Sequence, residues 1–112
     1  MATTIQIKQG DNAREIKDTL LFGGVPIDLT TLAVNGAKLR LKRYSNDEAI
    51  MIQASVEGAP TLGQVKAPFT NPTHSGTVDK FKAEWELTFN DGRVLSVPDD
   101  DYNVIEIVEQ LG

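Results

Sequence analysis

Residues 80–89 read Lys-Phe-Lys-Ala-Glu-Trp-Glu-Leu-Thr-Phe. Phe81, Ala83, Trp85, Leu87 and Phe89 share one parity, and Lys80, Lys82, Glu84, Glu86 and Thr88 share the other. Successive side chains of a strand point to opposite faces, so this pattern predicts one apolar face and one wet face. A helix would scatter the same aromatics around its circumference. The segment is read as a β-strand with Trp85 in the core. A sugar-stacking tryptophan would need the wet face, which Glu84 and Glu86 occupy.

Working outward, Asn90-Asp91-Gly92 is a turn signal, and Arg93 to Val97 returns as the second arm of a hairpin. Pro98 stops it, because proline cannot donate to a ladder. Asp99, Asp100 and Asp101 then form an acidic turn, and Tyr102 to Val108, rich in β-branched residues, reads as a further strand.

Upstream, Ile5 and Ile7 alternate with polar residues. So do Ala37, Leu39 and Leu41, and then Ile50, Ile52, Ala54 and Val56. A shorter strand covers Gln64 to Ala67. Leu29-Thr30-Thr31-Leu32 reads as a single 3₁₀ turn. The stretch from Ala67 to Thr77, with two prolines and several Asn, Thr and Ser residues, reads as a long surface loop.

Asp11 to Phe22 carries two readings. Ala13, Ile16, Leu20 and Leu21 approximate a helical stripe that Gly23-Gly24 would end, while Ile16, Leu20 and Phe22 would line one face of a strand. The strands on either side weigh toward the second. Seven or eight strands separated by turns predict an all-β fold, an immunoglobulin-like antiparallel β-sandwich, with a small barrel as the alternative. The 112 residues fit a single domain spanning positions 1–112.

Composition narrows the function classes. With no cysteine, disulfides, thiolate metal sites and cysteine nucleophiles are all excluded. The start, Met1-Ala2-Thr3-Thr4-Ile5, has neither the basic nor the apolar region of a signal peptide, and no apolar run approaches the ~20 residues that span a bilayer. A net charge of −5 argues against sequence-independent nucleic-acid binding, which needs clustered cations. We therefore expect no cofactor, no metal, no nucleic acid and no membrane association.

The side chains that carry chemistry are few. His74 is the sole histidine and has no second histidine or cysteine to complete a zinc site, so it reads as a solvent-facing loop residue. Ser75 beside it is no triad, since triad partners meet through the fold. Asp99–Asp101 lacks the spacing of a calcium loop. No glycine motif for a nucleotide is present. One basic cluster stands out: Lys38, Arg40, Lys42 and Arg43. Lys38, Arg40 and Lys42, with Tyr44 in phase, present a cationic strand face. Such a face either guards against edge pairing or grips an acidic partner, with protein ahead of nucleic acid in an acidic chain. No catalytic residue is assigned, and the possible protein-contact residues are Lys38, Arg40, Lys42, Tyr44 and His74.

An ordered set of short patterns resembles the N-terminal domain family of phage baseplate upper proteins. Ile5-Gln6-Ile7-Lys8-Gln9-Gly10-Asp11 looks like its opening strand and Gly-Asp turn. Gly24-Val25-Pro26-Ile27-Asp28-Leu29-Thr30 resembles its Gly-x-Pro-x-Asp-Leu-Thr turn, followed by a strand of the type Ala37-Lys38-Leu39-Arg40-Leu41. Gly63-Gln64-Val65, Phe81 to Leu87, Asp91-Gly92-Arg93, Pro98 and Tyr102 to Ile107 are similar to its later strands. The resemblance implies an immunoglobulin-like sandwich that docks onto other virion structural proteins, as a homo-oligomer or in multiple copies of a symmetric assembly, and a strand for Asp11 to Phe22. It implies localisation to the virion, with the host cytoplasm before assembly. It supplies no catalytic residues, and larger members continue into further regions where this chain ends at Gly112. The alternative from another class is a carbohydrate-binding module, for which Tyr44 is the candidate aromatic.

Overall fold

The computed structural model describes residues 4–11, 13–98 and 103–109. Among these residues eleven strands follow in chain order: β1 (Thr4–Lys8), β2 (Arg14–Thr19), β3 (Leu21–Phe22), β4 (Val25–Pro26), β5 (Leu32–Arg43), β6 (Ala49–Gln53), β7 (Ser55–Val56), β8 (Gln64–Phe69), β9 (Asp79–Phe89), β10 (Val94–Val97) and β11 (Asn103–Val108). A larger sheet has the order β1-β11-β9-β5-β6, with β10 also paired to β9, and a smaller sheet has the order β2-β8-β7. Strands β3 and β4 form a two-stranded hairpin of their own.

The alternation along β9 holds. Phe81, Ala83, Trp85 and Leu87 are buried, and Phe89 packs partly buried at the end of the row. They meet Ile16, Val65, Ala67 and Phe69 from the smaller sheet, and Leu20 just past the end of β2, in one apolar core. Phe69 and Phe81 touch edge to face across it, with ring centroids 6.2 Å apart.

β9 is paired along both edges. One edge takes β5; the other takes β10 opposite Trp85–Thr88 and then β11 opposite Asp79–Ala83. The predicted hairpin closes where Gly92, at φ 87°, donates its N–H to Phe89 O and Asp91 Oδ1 accepts the N–H of Arg93. The run Asp99–Asp101 and Tyr102 lie outside the described residues.

Several expectations need correction. The fold is not purely antiparallel: β1 pairs with β11 in parallel register, Ile5 opposite Ile105 and Ile7 opposite Ile107. The first strand joins the larger sheet beside the last, and the chain then passes to the smaller sheet as β2. The predicted strand from Ile50 to Val56 is two strands in different sheets. Ala54 marks the crossing, and the alternation survives it because both sheets face the same core.

Asp11 to Phe22 contains a strand, as the surrounding pattern suggested, but Phe22 does not share the inward face of Ile16 and Leu20. The chain turns at Leu20, whose N–H bonds to Gly63 O and whose C=O accepts from Ile27, and Phe22 emerges 59% exposed on the separate hairpin. Leu29 to Leu32 is a turn closed by Leu32 N–H to Leu29 O. Within it, the Asp28 carboxylate accepts hydrogen bonds from the N–H (2.9 Å) and the hydroxyl of Thr30.

The predicted long loop from Ala67 is shorter than expected. β8 runs on through Pro68 to Phe69, and a helical turn, α1 (Pro72–Ser75), follows. Pro68 is tolerated because hydrogen-bonded pairs alternate along an antiparallel ladder. Leu20 N–H to Gly63 O sets the phase, so the Pro68 nitrogen faces away from β2, on the side where β7 has not yet begun.

Candidate interaction surface

The outer face of the larger sheet gathers the predicted cationic residues. On β5, Lys38, Arg40 and Lys42 point outward while Ala37, Leu39 and Leu41 are buried. Cross-strand register sets Lys38 opposite Glu86, Arg40 opposite Glu84, and Lys42 opposite Lys82 on β9. Arg40 Nη1 reaches diagonally to Glu86 Oε2 at 2.8 Å. Both ends of that pair keep solvent contact, so it contributes at most about 1 kcal/mol.

Two lysines directly opposite one another repel. Lys82 leans away toward Tyr44, its Nζ 5.6 Å from the ring centroid. Tyr44 continues the outward row, with its N–H bonded to Lys80 O and 44% of its surface exposed. Arg40, Lys42, Asp47, Met51 and Lys82 line a depression of about 500 Å³. A second, of about 480 Å³, lies between Tyr44, Val78, Lys80 and Glu106.

Among the described residues this face carries Lys8, Lys38, Arg40, Lys42, Lys80 and Lys82 against Asp47, Glu84, Glu86 and Glu106. It is therefore net cationic on a chain whose formal charge is −5. The sequence displayed Lys80 and Lys82 on a wet face but gave no sign that they adjoin Lys42. That neighbourhood depends on the β5–β9 register, which local sequence does not encode.

Arg43 separates from the cluster it adjoins in sequence. It falls on the inward parity of β5, is buried, and lies 4.5 Å over the Phe81 ring. Its Nε is 3.0 Å from Glu48 Oε1 and its Nη1 is 3.6 Å from Asp79 Oδ2. Ser45 Oγ donates to the same Asp79 oxygen at 2.6 Å. Desolvation pushes the Asp79 carboxyl up, but hydrogen bonds from Ser45 and the Lys80 N–H, with the Arg43 charge, outweigh it and hold the group below the ordinary carboxylate value.

His74 also stands apart from the cationic face. It is half-buried rather than solvent-facing, on α1, with its ring 5.8 Å from that of Phe69. Burial pushes its imidazole below the ordinary histidine value, and the charge of Arg43 adds to this. The adjacent Ser75 is buried, and among the described residues neither its Oγ nor His74 Nδ1 has a hydrogen-bond partner. The two are thus not paired as nucleophile and base. Among the described residues no three His, Asp or Glu side chains converge as a metal site.

No protein-family model matches the sequence, and no curated protein matches it.

Proposed function

We propose that this chain is a structural component of a bacteriophage particle, of the tail or baseplate, that binds neighbouring virion subunits in repeated copies. Capsid decoration and fibre adaptation are the neighbouring roles. It works by contact, not catalysis. The observation that carries the reading is the charge segregation: a cationic sheet face, stiffened by the core beneath it, on an otherwise acidic chain. Such a face suits an acidic protein surface, and electrostatic complementarity gives orientation and partner choice.

The ordered patterns that resemble the baseplate upper protein family support the same reading. So does the strand order. We read β11-β9-β5-β6 and β2-β8-β7 as the G-F-C-C′ and B-E-D arrangement of a variable-type immunoglobulin-like sandwich. Two features depart from antibody domains: Trp85 sits on β9 rather than β5, and no cysteine bridges the sheets.

Recombinant protein added to particles lacking it should bind in stoichiometric, repeated copies, and the double variant Lys42→Glu, Lys82→Glu should bind at least tenfold more weakly while remaining folded. Absence of the protein from washed virions by mass spectrometry would end the proposal. The carbohydrate-binding alternative draws on Tyr44, exposed beside the second depression. It predicts a glycan-array signal that Tyr44→Ala abolishes.

A further inference from the structure

Among the described residues β6 is the last strand of the larger sheet, paired on one side only. Ala54 N–H bonds to Ala37 O and Arg43 N–H bonds to Glu48 O. Those two bonds set the phase of the β5–β6 ladder, in which hydrogen-bonded and non-hydrogen-bonded pairs alternate. Ile50 and Ile52 turn their main-chain groups toward β5. The N–H and C=O groups of Ala49 and Met51 therefore point away from it, along the outer edge.

Exposed edges are normally blunted by charge, proline, a bulge or brevity. The other edges of this molecule have such guards. β2 carries Arg14, Glu15, Lys17 and Asp18 within Arg14–Thr19. β7 is two residues long. On β1, the outward-facing Gln6 C=O is approached by the Arg14 guanidinium at 3.5 Å, and Lys8 ends the strand. β10 is short and is followed by Pro98. β6 reads Ala-Ile-Met-Ile-Gln, with no charge and no proline, and its register against β5 is uninterrupted from Ala49 to Gln53. Ile50 and Ile52 pack only partly buried against the core, and Met51 is 51% exposed.

We infer that β6 is an edge-pairing surface whose partner is β6 of a second copy of this chain. The strand is self-complementary. An antiparallel two-fold axis through Ile50 places Ala49 of each copy opposite Met51 of the other, each such pair exchanging both N–H···O bonds. The same axis sets the two Ile50 side chains together on the core side, extending the apolar core across the contact. No like charges face one another, since the next outward pair is Asp47 with Gln53. The contact is isologous, so it closes at two copies and does not propagate. Asp47, at φ 57°, ends the strand on one side, and the crossing at Ala54 ends it on the other. So short an edge buries less than the ~800 Å² per partner typical of stable interfaces, and the dimer is concentration-dependent. This inference stands independently of the virion proposal.

Sedimentation equilibrium of the full chain over a range reaching millimolar protein tests it. A reversible monomer–dimer equilibrium is expected, and Met51→Lys, which sets cations against the opposing strand, should halve the apparent mass at the top concentration with an unchanged circular dichroism spectrum. Because the chain has no cysteine, Met51→Cys gives a direct positional readout. A short bis-maleimide should cross-link it into dimers, and should leave Val94→Cys, on an exposed site of β10, as monomer. A wild type that stays monomeric throughout overturns the inference. So does a dimer that persists in Met51→Lys, or one in which Val94→Cys cross-links as readily as Met51→Cys. Recovery of β6 paired instead with an extended segment of another protein would overturn the choice of partner.

Discussion

The indole N–H of Trp85, on β9 of the larger sheet, donates a hydrogen bond to Oδ2 of Asp18, on β2 of the smaller sheet, at 3.1 Å. Trp85 is 1% exposed, and a buried indole N–H is a donor that must find an acceptor. The carboxylate answers from the opposite layer, and Asn103 Nδ2 approaches the same oxygen at 3.4 Å. One acidic side chain thus ties together β2, β9 and β11 through the core.

Removing that acceptor should be costly. Asp18→Ala strands the Trp85 N–H in an apolar setting, and an unsatisfied buried donor costs about 1–3 kcal/mol. Asp18→Asn keeps an amide oxygen in place and should lose clearly less. Urea unfolding of both variants, followed by tryptophan fluorescence, checks the order. Equal losses would mean that the hydrogen bond contributes nothing beyond the packing of the side chain.

The same residue predicts an unusual pH response. Burial pushes the Asp18 carboxyl up from the ordinary aspartate value, against the lowering effect of its hydrogen bond from Trp85. The folded state therefore holds this proton to higher pH than the unfolded chain does. Where the folded state binds more protons, stability falls as pH rises. The Asp18 contribution is most favourable below its unfolded pKa and declines as pH climbs through the folded one. Asp79, held low, behaves oppositely and loses its contribution as pH falls through its folded pKa. Relative to wild type, Asp18→Asn should gain stability as pH is raised from the ordinary carboxylate range to neutrality. Paired urea melts at the two ends of that window test it, and a pH-independent difference would refute it.

Arg43 is held by geometry rather than by charge alone. Its guanidinium lies over Phe81 while reaching both Asp79 and Glu48. Arg43→Ala removes the stacking and leaves the half-buried Asp79 carboxylate without its cation, held by the Ser45 hydroxyl and the Lys80 N–H. Breaking a fully buried pair typically costs about 3–5 kcal/mol, and with Asp79 only half-buried and Glu48 half-exposed this case falls below that range. Arg43→Lys should recover little, since an ammonium cannot stack as a plane and bridge two carboxylates. Carboxyl-carbon NMR should show Asp79 titrating at higher pH in Arg43→Ala. An unmoved Asp79 would show that the ion pair does not set its pKa.

These inward-facing polar residues also mark the boundary of what the sequence made legible. β9 was readable because its alternation is uninterrupted and one face is wet. Asp18 and Arg43 were missed, although parity pointed to both. Asp18 lies between Ile16 and Leu20, and Arg43 follows Ala37, Leu39 and Leu41 on the same face. Their charge suggested solvent, and only the opposing layer supplies the partners that make burial tolerable. The break between β6 and β7 was hidden for the opposite reason, since the pattern does not change when a strand passes between sheets that share a core. The parallel pairing of β1 with β11 joins residues about a hundred positions apart and leaves no local trace. Of the candidate face, the row Lys38, Arg40, Lys42 and Tyr44 was legible, while Lys80 and Lys82 joined it only through the register with β9.

Gly36 provides a test of the backbone itself. Between Leu32 and Ala37 the register of β5 against β9 shifts, so the segment bulges away from the ladder. A Cβ on Gly36 would lie 2.3 Å from Thr88 O and 2.8 Å from Ala33 O. Both obstacles are main-chain atoms, which cannot rotate aside as a flexible side chain would. Gly24, at the tip of the β3–β4 hairpin, is the matched control: its φ is +81°, yet a Cβ there meets nothing within 4 Å. Gly24→Ala should cost only the left-handed backbone preference, about 1–2 kcal/mol. Gly36→Ala must displace either β5 or β9, and overpacking with backbone movement costs about 1–3 kcal/mol and occasionally more. The two ranges overlap, so the decisive readout is spatial. Amide chemical shifts in Gly36→Ala should move at Leu32, Ala37, Thr88 and Phe89, on both sides of the bulge, whereas those in Gly24→Ala should stay within the hairpin. Shifts in Gly36→Ala confined to its sequence neighbours would show that the bulge is slack enough to take a methyl group, and that the close approach to Thr88 does not fix the register of the two longest strands.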